Sequence, residues 1–242
     1  MKIHLKLVLI LVITFTSNAQ NKNYQVIYEY TIKKEKILNN LKKNTNPQNL
    51  NLLEKSMQIF SKSQPTEAVL LYNNEFSFYD VVEKLDINDN YSKIDPSYRF
   101  AGANLKYYKS NLEKEIILYQ NESNFDKIKE YLTKYKCHSY KIKDITEYIN
   151  GYNCMLATTN DKAGNEIKIW FTPEINTNFG PEKFCGLPGL IISVDAYAYT
   201  INLKKIKKTN KPVSKYPENI TFIDSLTIEK LNGQHFNKVF KN

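Results

Sequence analysis

Residues 24–32 read YQVIYEYTI. Tyr24, Val26, Tyr28, Tyr30 and Ile32 fall on every second position, so an extended chain here carries one apolar face, the period-two mark of a β-strand. Downstream the period changes. Ile37, Leu38 and Leu41, then Leu50, Leu53, Met57 and Phe60, recur at three and four, with Asn46 placed as an N-cap and Pro47 as a first helical residue. Two amphipathic helices, or one kinked helix, are predicted there. From Pro65 strand-like runs return at 67–72, 76–82, 105–109, 116–119, 140–142 and 146–149, punctuated by turn signals at Asn73-Asn74, 86–90 and Asn150-Gly151. Residues 154–159 and 167–172, separated by a turn-rich stretch at 160–165, predict a hairpin. Runs at 190–196, 200–206 and 221–228 complete an all-strand C-terminal half. The expected fold is α+β but mainly β: a curved antiparallel meander or half-barrel with an amphipathic helical insertion near residues 33–62.

The chain has 242 residues, 42% hydrophobic and 24% charged, with 18 Tyr and 12 Phe but only 7 Gly and 8 Pro. It can therefore bury one sizeable core and is neither collagen-like nor low-complexity. Residues 1–20, MKIHLKLVLILVITFTSNAQ, carry basic Lys2 and Lys6, an apolar run from Leu7 to Phe15, and Ser17-Asn18-Ala19 as a small-residue cleavage site. That is the pattern of a secretory signal peptide. Its apolar stretch is about half of the roughly 20 residues that cross a hydrocarbon core, and no Cys lies near the cleavage point for lipid attachment. The expected organisation is a leader at 1–19 and a single domain at 20–242. The mature product is expected to be exported and soluble, in the periplasm or associated with the outer membrane, with no transmembrane segment after cleavage. The net charge of +9 is modest, and export argues against nucleic acid as a partner. The run KKIKKTNK at 204–211 reads as a solvated strand end.

Catalytic and cofactor motifs are missing: no G-x-S-x-G, no H-E-x-x-H and no glycine-rich phosphate loop is present. Cys137 and His138 are neighbours, but neighbours on a strand point to opposite faces and do not make a thiolate–imidazole pair. Cys154 with His235 stays open as a pairing. No catalytic residue, cofactor or metal site is predicted, because zinc would want four closely spaced ligands. An exported chain meets an oxidising compartment, so one disulfide plus one odd thiol, with three pairings to choose from, stands beside three buried small hydrophobes as the reading of Cys137, Cys154 and Cys185.

Three of the seven glycines, Gly180, Gly186 and Gly189, fall within ten residues together with Pro181 and Pro188. In Leu187-Pro188-Gly189-Leu190 a Pro at i+1 and a Gly at i+2 predict a type II turn feeding a buried strand. Gly186, Leu187, Pro188, Gly189, Leu190 and Ile191 spell a hexapeptide by which the chain resembles the GLPGLI family of exported bacterial proteins, widespread in Bacteroidetes. Three further elements carry the resemblance: Gly151, Tyr152 and Cys154 followed by Ala157-Thr158; Trp170, Phe171 and Pro173 within IWFTPEI at 169–175; and Gly180, Pro181 and Phe184 on the approach to the hexapeptide. The resemblance spans residues 151–192. It implies an exported protein of a family without an established activity, whose members are often encoded near outer-membrane receptors or export-related genes. For the hexapeptide a structural role is predicted. The hairpin would put Cys154 and Thr172 at one end of the sheet, where the loop carrying Cys185 starts, so Cys154–Cys185 is the favoured bridge.

Two non-enzymatic functions fit these features. A binding or carrier module would hold an apolar ligand or peptide in a groove walled by Phe76, Phe78, Tyr79, Tyr107, Tyr108 and Tyr119. An adaptor would instead dock on an outer-membrane transporter or secretion component through an exposed sheet edge or the 186–191 loop. A hydrolase is the remaining alternative. A carrier should enclose several hundred Å³ behind apolar walls, whereas an adaptor should expose apolar surface.

Overall fold

The computed structural model describes residues 22–44, 46, 50–82, 95–112, 115–120 and 129–231. The leader at 1–19, the helix start at Pro47 and the turn at 86–90 lie outside the described residues. The fold is mainly antiparallel β. Eleven strands form one sheet: β1 (Asn23–Ile32), β2 (Thr66–Tyr72), β3 (Phe76–Val81), β4 (Leu105–Ser110), β5 (Glu115–Gln120), β6 (Tyr131–Lys136), β7 (Lys141–Ile149), β8 (Tyr152–Asn160), β9 (Glu166–Thr172), β10 (Leu190–Asp195) and β11 (Tyr199–Thr209). Their order is β6-β5-β4-β3-β2-β1-β11-β10-β9-β8-β7, two meanders joined where β1 pairs with β11 from Asn23↔Thr209 to Ile32↔Tyr199. Helices α1 (Lys34–Asn44) and α2 (Leu50–Lys62) connect β1 to β2, and the short α3 (Pro96–Phe100) lies between β3 and β4.

The two edge strands are consecutive in the chain. Laid flat, eleven strands would hold β6 and β7 roughly 48 Å apart, yet residues 137–140 alone join them and can span no more than about 18 Å. The open sheet must therefore curl until its margins approach at one end. A second link agrees. Leu132 in β6 donates its N–H to the Thr221 carbonyl (2.9 Å) and accepts from Ile223 N–H (2.8 Å), and six residues further on Glu229 meets Lys162 of the β8–β9 turn at 2.5 Å.

The inside of the curl is the core. Val26, Tyr28 and Tyr30 are fully buried there with Ile32 nearly so, as the alternation of residues 24–32 predicts. Ile169, Phe171, Leu190, Ile192, Val194 and Ile201 complete that face from the other meander. On the outside a smaller cluster of Tyr108, Ile117 and Leu132 is covered by Phe78, Tyr119, Tyr216 and Ile220.

Three local readings are corrected. Residues 221–228, expected as a strand, make one bridge at Phe222 and then a helix, α4, at 225–231. Asp224 decides this by accepting from Thr227 N–H (2.9 Å), a side-chain cap that competes with an extended ladder. The runs at 140–142 and 146–149 are one strand, β7, interrupted by a register shift between Ile142 and Thr146. In the 187–190 turn, Gly189 N–H reaches the Leu187 carbonyl (2.9 Å) and Gly189 has φ +156°. This is not the type II geometry, which needs φ near +80° at that position.

Candidate functional site

The long segment 173–189 between β9 and β10 forms a strap across the inner face. It leaves β9 at Thr172 and returns where Leu190 pairs with Thr172. Gly189 is required by contact: an added Cβ would lie 2.1 Å from the Thr172 carbonyl oxygen and 2.9 Å from Pro173 N. Gly180 is required likewise, with Phe184 O at 2.2 Å and Ile191 Cδ1 at 2.6 Å. Leu187, Leu190 and Ile191 are buried, and the Ile191 carbonyl, at a register shift of β10, accepts the Tyr28 hydroxyl (2.8 Å). The other singled-out residues support the same construction. Asn150 (φ +52°) and Gly151 (φ +88°) form the β7–β8 turn, while Glu174, next to Pro173, accepts from the N–H and Nδ2 of Asn153, both at 2.9 Å. Phe171 is buried, and Trp170 and Tyr152 pack partly buried against the core.

The disulfide joins Cys137 to Cys185, and Cys154 is a free, buried thiol. The expected Cys154–Cys185 bridge is therefore corrected. That reading kept Cys185 near the end where the strap starts and sent Cys137 to the far end in line with β7. Instead the strap runs along the inner face, and the curl carries the short β6–β7 connector over it. Gly186 sits beside the bridge: a Cβ there would be 3.5 Å from Cys137 Cβ.

The six aromatic residues expected to wall one groove are divided between two faces. Tyr79 and Tyr107 point inward and pack edge-to-face at 5.7 Å. Phe78, Tyr108 and Tyr119 belong to the outer cluster, and Phe76, on the same strand face as Phe78, lies under Lys215 at 4.7 Å. Alternation along β3 and β4 makes this separation unavoidable. The cavity between strap and sheet, beside Tyr79, Tyr107 and Lys109, measures about 10 Å³, room for one water at most.

Glu182 also lines that cavity. Its Oε1 is shut off from solvent without a hydrogen-bond partner, as are the hydroxyls of Tyr30 and Tyr79. Burial pushes the Glu182 carboxyl up to about 8, with neighbouring Lys183 acting in the opposite direction. The residue was not singled out in the sequence; the signal was a carboxylate beside Lys183 in a Gly/Pro-rich stretch.

At one edge of the sheet stands β7. Every residue of it but Ile149 is exposed, and Ile142, Ile145 and Tyr148 are 49%, 50% and 70% exposed. Among the described residues β7 pairs only with β8, so its outer row of backbone groups is unpaired. No helix among the described residues is long and apolar enough to cross a membrane, and no cluster of His, Cys, Asp and Glu among them could hold a metal ion.

Residues 122–193, running through β6 to β10 with the strap, match a family model described as "Protein of unknown function (Porph_ging)". No curated protein matches the chain. Among solved structures, PNGF-II in one crystal form is similar at 15% identity and a TM-score of 0.56, over 88% of this chain and 33% of that one. A second crystal form gives 15%, 0.55, 88% and 34%. The likeness is one of fold, and this chain spans about a third of the length of those it matches.

Proposed function

We propose that the protein is an exported, non-enzymatic interaction module that takes up an extended segment of a cell-envelope protein along the outer edge of β7. The observation that carries this reading is the exposure of β7. Natural sheets blunt such edges because unpaired N–H and C=O groups invite strand addition; here a nine-residue edge also presents Ile142, Ile145 and Tyr148 to solvent. Backbone pairing would supply affinity, and these side chains specificity. Lys141, Lys143, Asp144 and Glu147 between them keep the free edge from collapsing onto other edges. The Cys137–Cys185 bridge supports the exported reading, since disulfides persist in oxidising compartments. We also read the chain as a GLPGLI-family member, supported by the four sequence elements inside the matched span 122–193, and the curled sheet as a half-barrel with α1 and α2 as its insertion. The apolar-ligand carrier has less support, because its six aromatics do not share a wall.

The test is site-specific photocrosslinking in the source cell's envelope from positions 145 and 148, with position 112, whose Leu is 96% exposed on the other meander, as control. The expected result is one envelope protein captured from both β7 positions and not from 112, with capture from 148 abolished by Ile145→Lys at unchanged melting temperature. Crosslinks to a second copy of the chain alone, or none while native mass spectrometry finds a co-purified lipid, would overturn the reading.

A further inference from the structure

Glu182 carries two features that folding alone disfavours. Its φ of +48° lies in the left-handed region that residues with a Cβ avoid. Its Oε1 is buried and unpaired, in a residue that is half-buried as a whole. Both accompany one turn of the strap, closed by Phe184 N–H donating to the Pro181 carbonyl at 2.9 Å, with Glu182 at its second position against the cavity. The Glu182 charge acts on tyrosines from four strands, Tyr30 of β1, Tyr79 of β3, Tyr107 of β4 and Tyr199 of β11. Tyr79 and Tyr107 line the same cavity as Glu182, and Tyr30 stacks on Tyr199 at 4.7 Å. A neutral carboxyl is tolerated among rings and hydroxyls, whereas an anion without a counter-charge is not.

We propose that the strap is a proton-held lid, closed over the four-tyrosine cluster while the Glu182 carboxyl is protonated and released as that carboxyl ionises. The strap is fixed at one point by the Cys137–Cys185 bridge and at its exit by Gly189 against Thr172. Between the Glu174–Asn153 hydrogen bonds and the bridge, residues 175–184 are the part that lifts, giving up the Gly186 N–H to Asn178 carbonyl bond (2.7 Å) and the burial of Phe179 and Phe184. Opening would uncover Tyr79 and Tyr107 and enlarge the cavity that closure reduces to about 10 Å³.

The remaining titratable neighbours do not replace Glu182 in this role. Burial, and after it the Glu182 charge, pushes the four tyrosines far above the neutral range. Lys183 is next in sequence, yet its Nζ lies over the Tyr135 ring of β6 at 4.1 Å. Lys109 of β4 lies over the strap's Phe179 at 5.6 Å. From the β6–β7 connector His138 stacks on Phe184 at 5.1 Å, and burial followed by Lys183 lowers it below its ordinary 6.5. At the outer rim Lys162 of the β8–β9 turn is paired with Glu229 of α4, with Asp161 beside it.

The sign follows from linkage. A carboxyl ordinarily near 4.5 and raised to about 8 by closure holds the lid most firmly at low pH. Hold weakens about tenfold per pH unit between these values and levels off above 8. Hydrogen exchange of 175–184, corrected for intrinsic rates and run from pH 6.5 to 8.5 to stay above the His138 transition, tests this on the oxidised mature protein. Protection is expected to fall about 16-fold by pH 8 and about 25-fold by pH 8.5, where the profile flattens. Glu182→Gln should keep protection nearly constant over that range, and Glu182→Gly, which also relieves the positive φ, should do the same. Identical pH profiles for wild type and Glu182→Gln would overturn the proposal. So would restoration of wild-type protection at pH 8.5 by potassium or ammonium but not choline, which would mean that a cation and not a proton fills the site.

Discussion

A Cβ on Gly189 would stand 2.1 Å from the Thr172 carbonyl oxygen and one on Gly180 2.2 Å from that of Phe184; backbone cannot yield as a side chain end can. Gly189→Ala and Gly180→Ala are therefore expected to lower stability by about 2 kcal/mol or more. Gly164, at φ +85° with nothing within 4 Å, should lose only about 1 kcal/mol on the same change through left-handed strain. Urea melts of the three variants check the ranking. Pro188 is exposed and closes no type II turn, so Pro188→Ala should cost under about 1 kcal/mol. The glycine cluster was legible because glycine is scarce in this chain. Its reason was not, because the close approach of two segments distant in sequence leaves no local trace. Glu182 adds a global effect: with its carboxyl near 8 when folded and about 4.5 when unfolded, stability should fall by roughly 1.4 kcal/mol per pH unit between those values. Glu182→Gln should flatten that slope in denaturant titrations at pH 5, 6.5 and 8.

Among the elements, strands with clean alternation or β-branched and aromatic runs could be read directly, β1 and the β8–β9 hairpin best of all. The β8–β9 turn carries its own instructions, since Asp161 accepts from Ala163 N–H, Asn165 N–H and Asn165 Nδ2. Elements set by a single side-chain bond were harder. Helix α3 (Pro96–Phe100) is started by Asp95, which accepts from Ser97 N–H at 2.8 Å and from the Ser63 hydroxyl at 2.5 Å. Asp95→Ala should cost about 1–2 kcal/mol, read as a lower urea midpoint. Strand β6, YLTKYK, is not legible because Lys134 and Lys136 dilute its pattern, and its partner β5 pairs with it across 11 residues at Gln120↔Tyr131 and more elsewhere. The disulfide closes a separation of 48 residues, so Cys137→Ala is expected to lower stability by about 2–4 kcal/mol. Cys154→Ala, at a buried thiol outside the bridge, should cost only about 1 kcal/mol.

The whole molecule is organised by the curl. Both meanders could be anticipated from hairpin signals, and so could their antiparallel sense. That β6 and β7 would end at opposite margins of one sheet, joined by four residues, depends on β1 pairing with β11, a contact between the two ends of the chain. Long-range pairings of this kind have no period to read. The split of the six aromatics follows from the same fact, because a two-faced sheet packed on both sides uses aromatic residues twice. The strap crossing the curl, pinned by Cys137 and Cys185, is the claim on which the inner face, the Glu182 lid and the free β7 edge all rest. Non-reducing peptide mapping of the mature protein, with free thiols blocked before digestion, tests it most directly. The account predicts a linked pair of peptides containing Cys137 and Cys185, with Cys154 alone alkylated. A linked pair containing Cys154 and Cys185, or three alkylated cysteines, would contradict it.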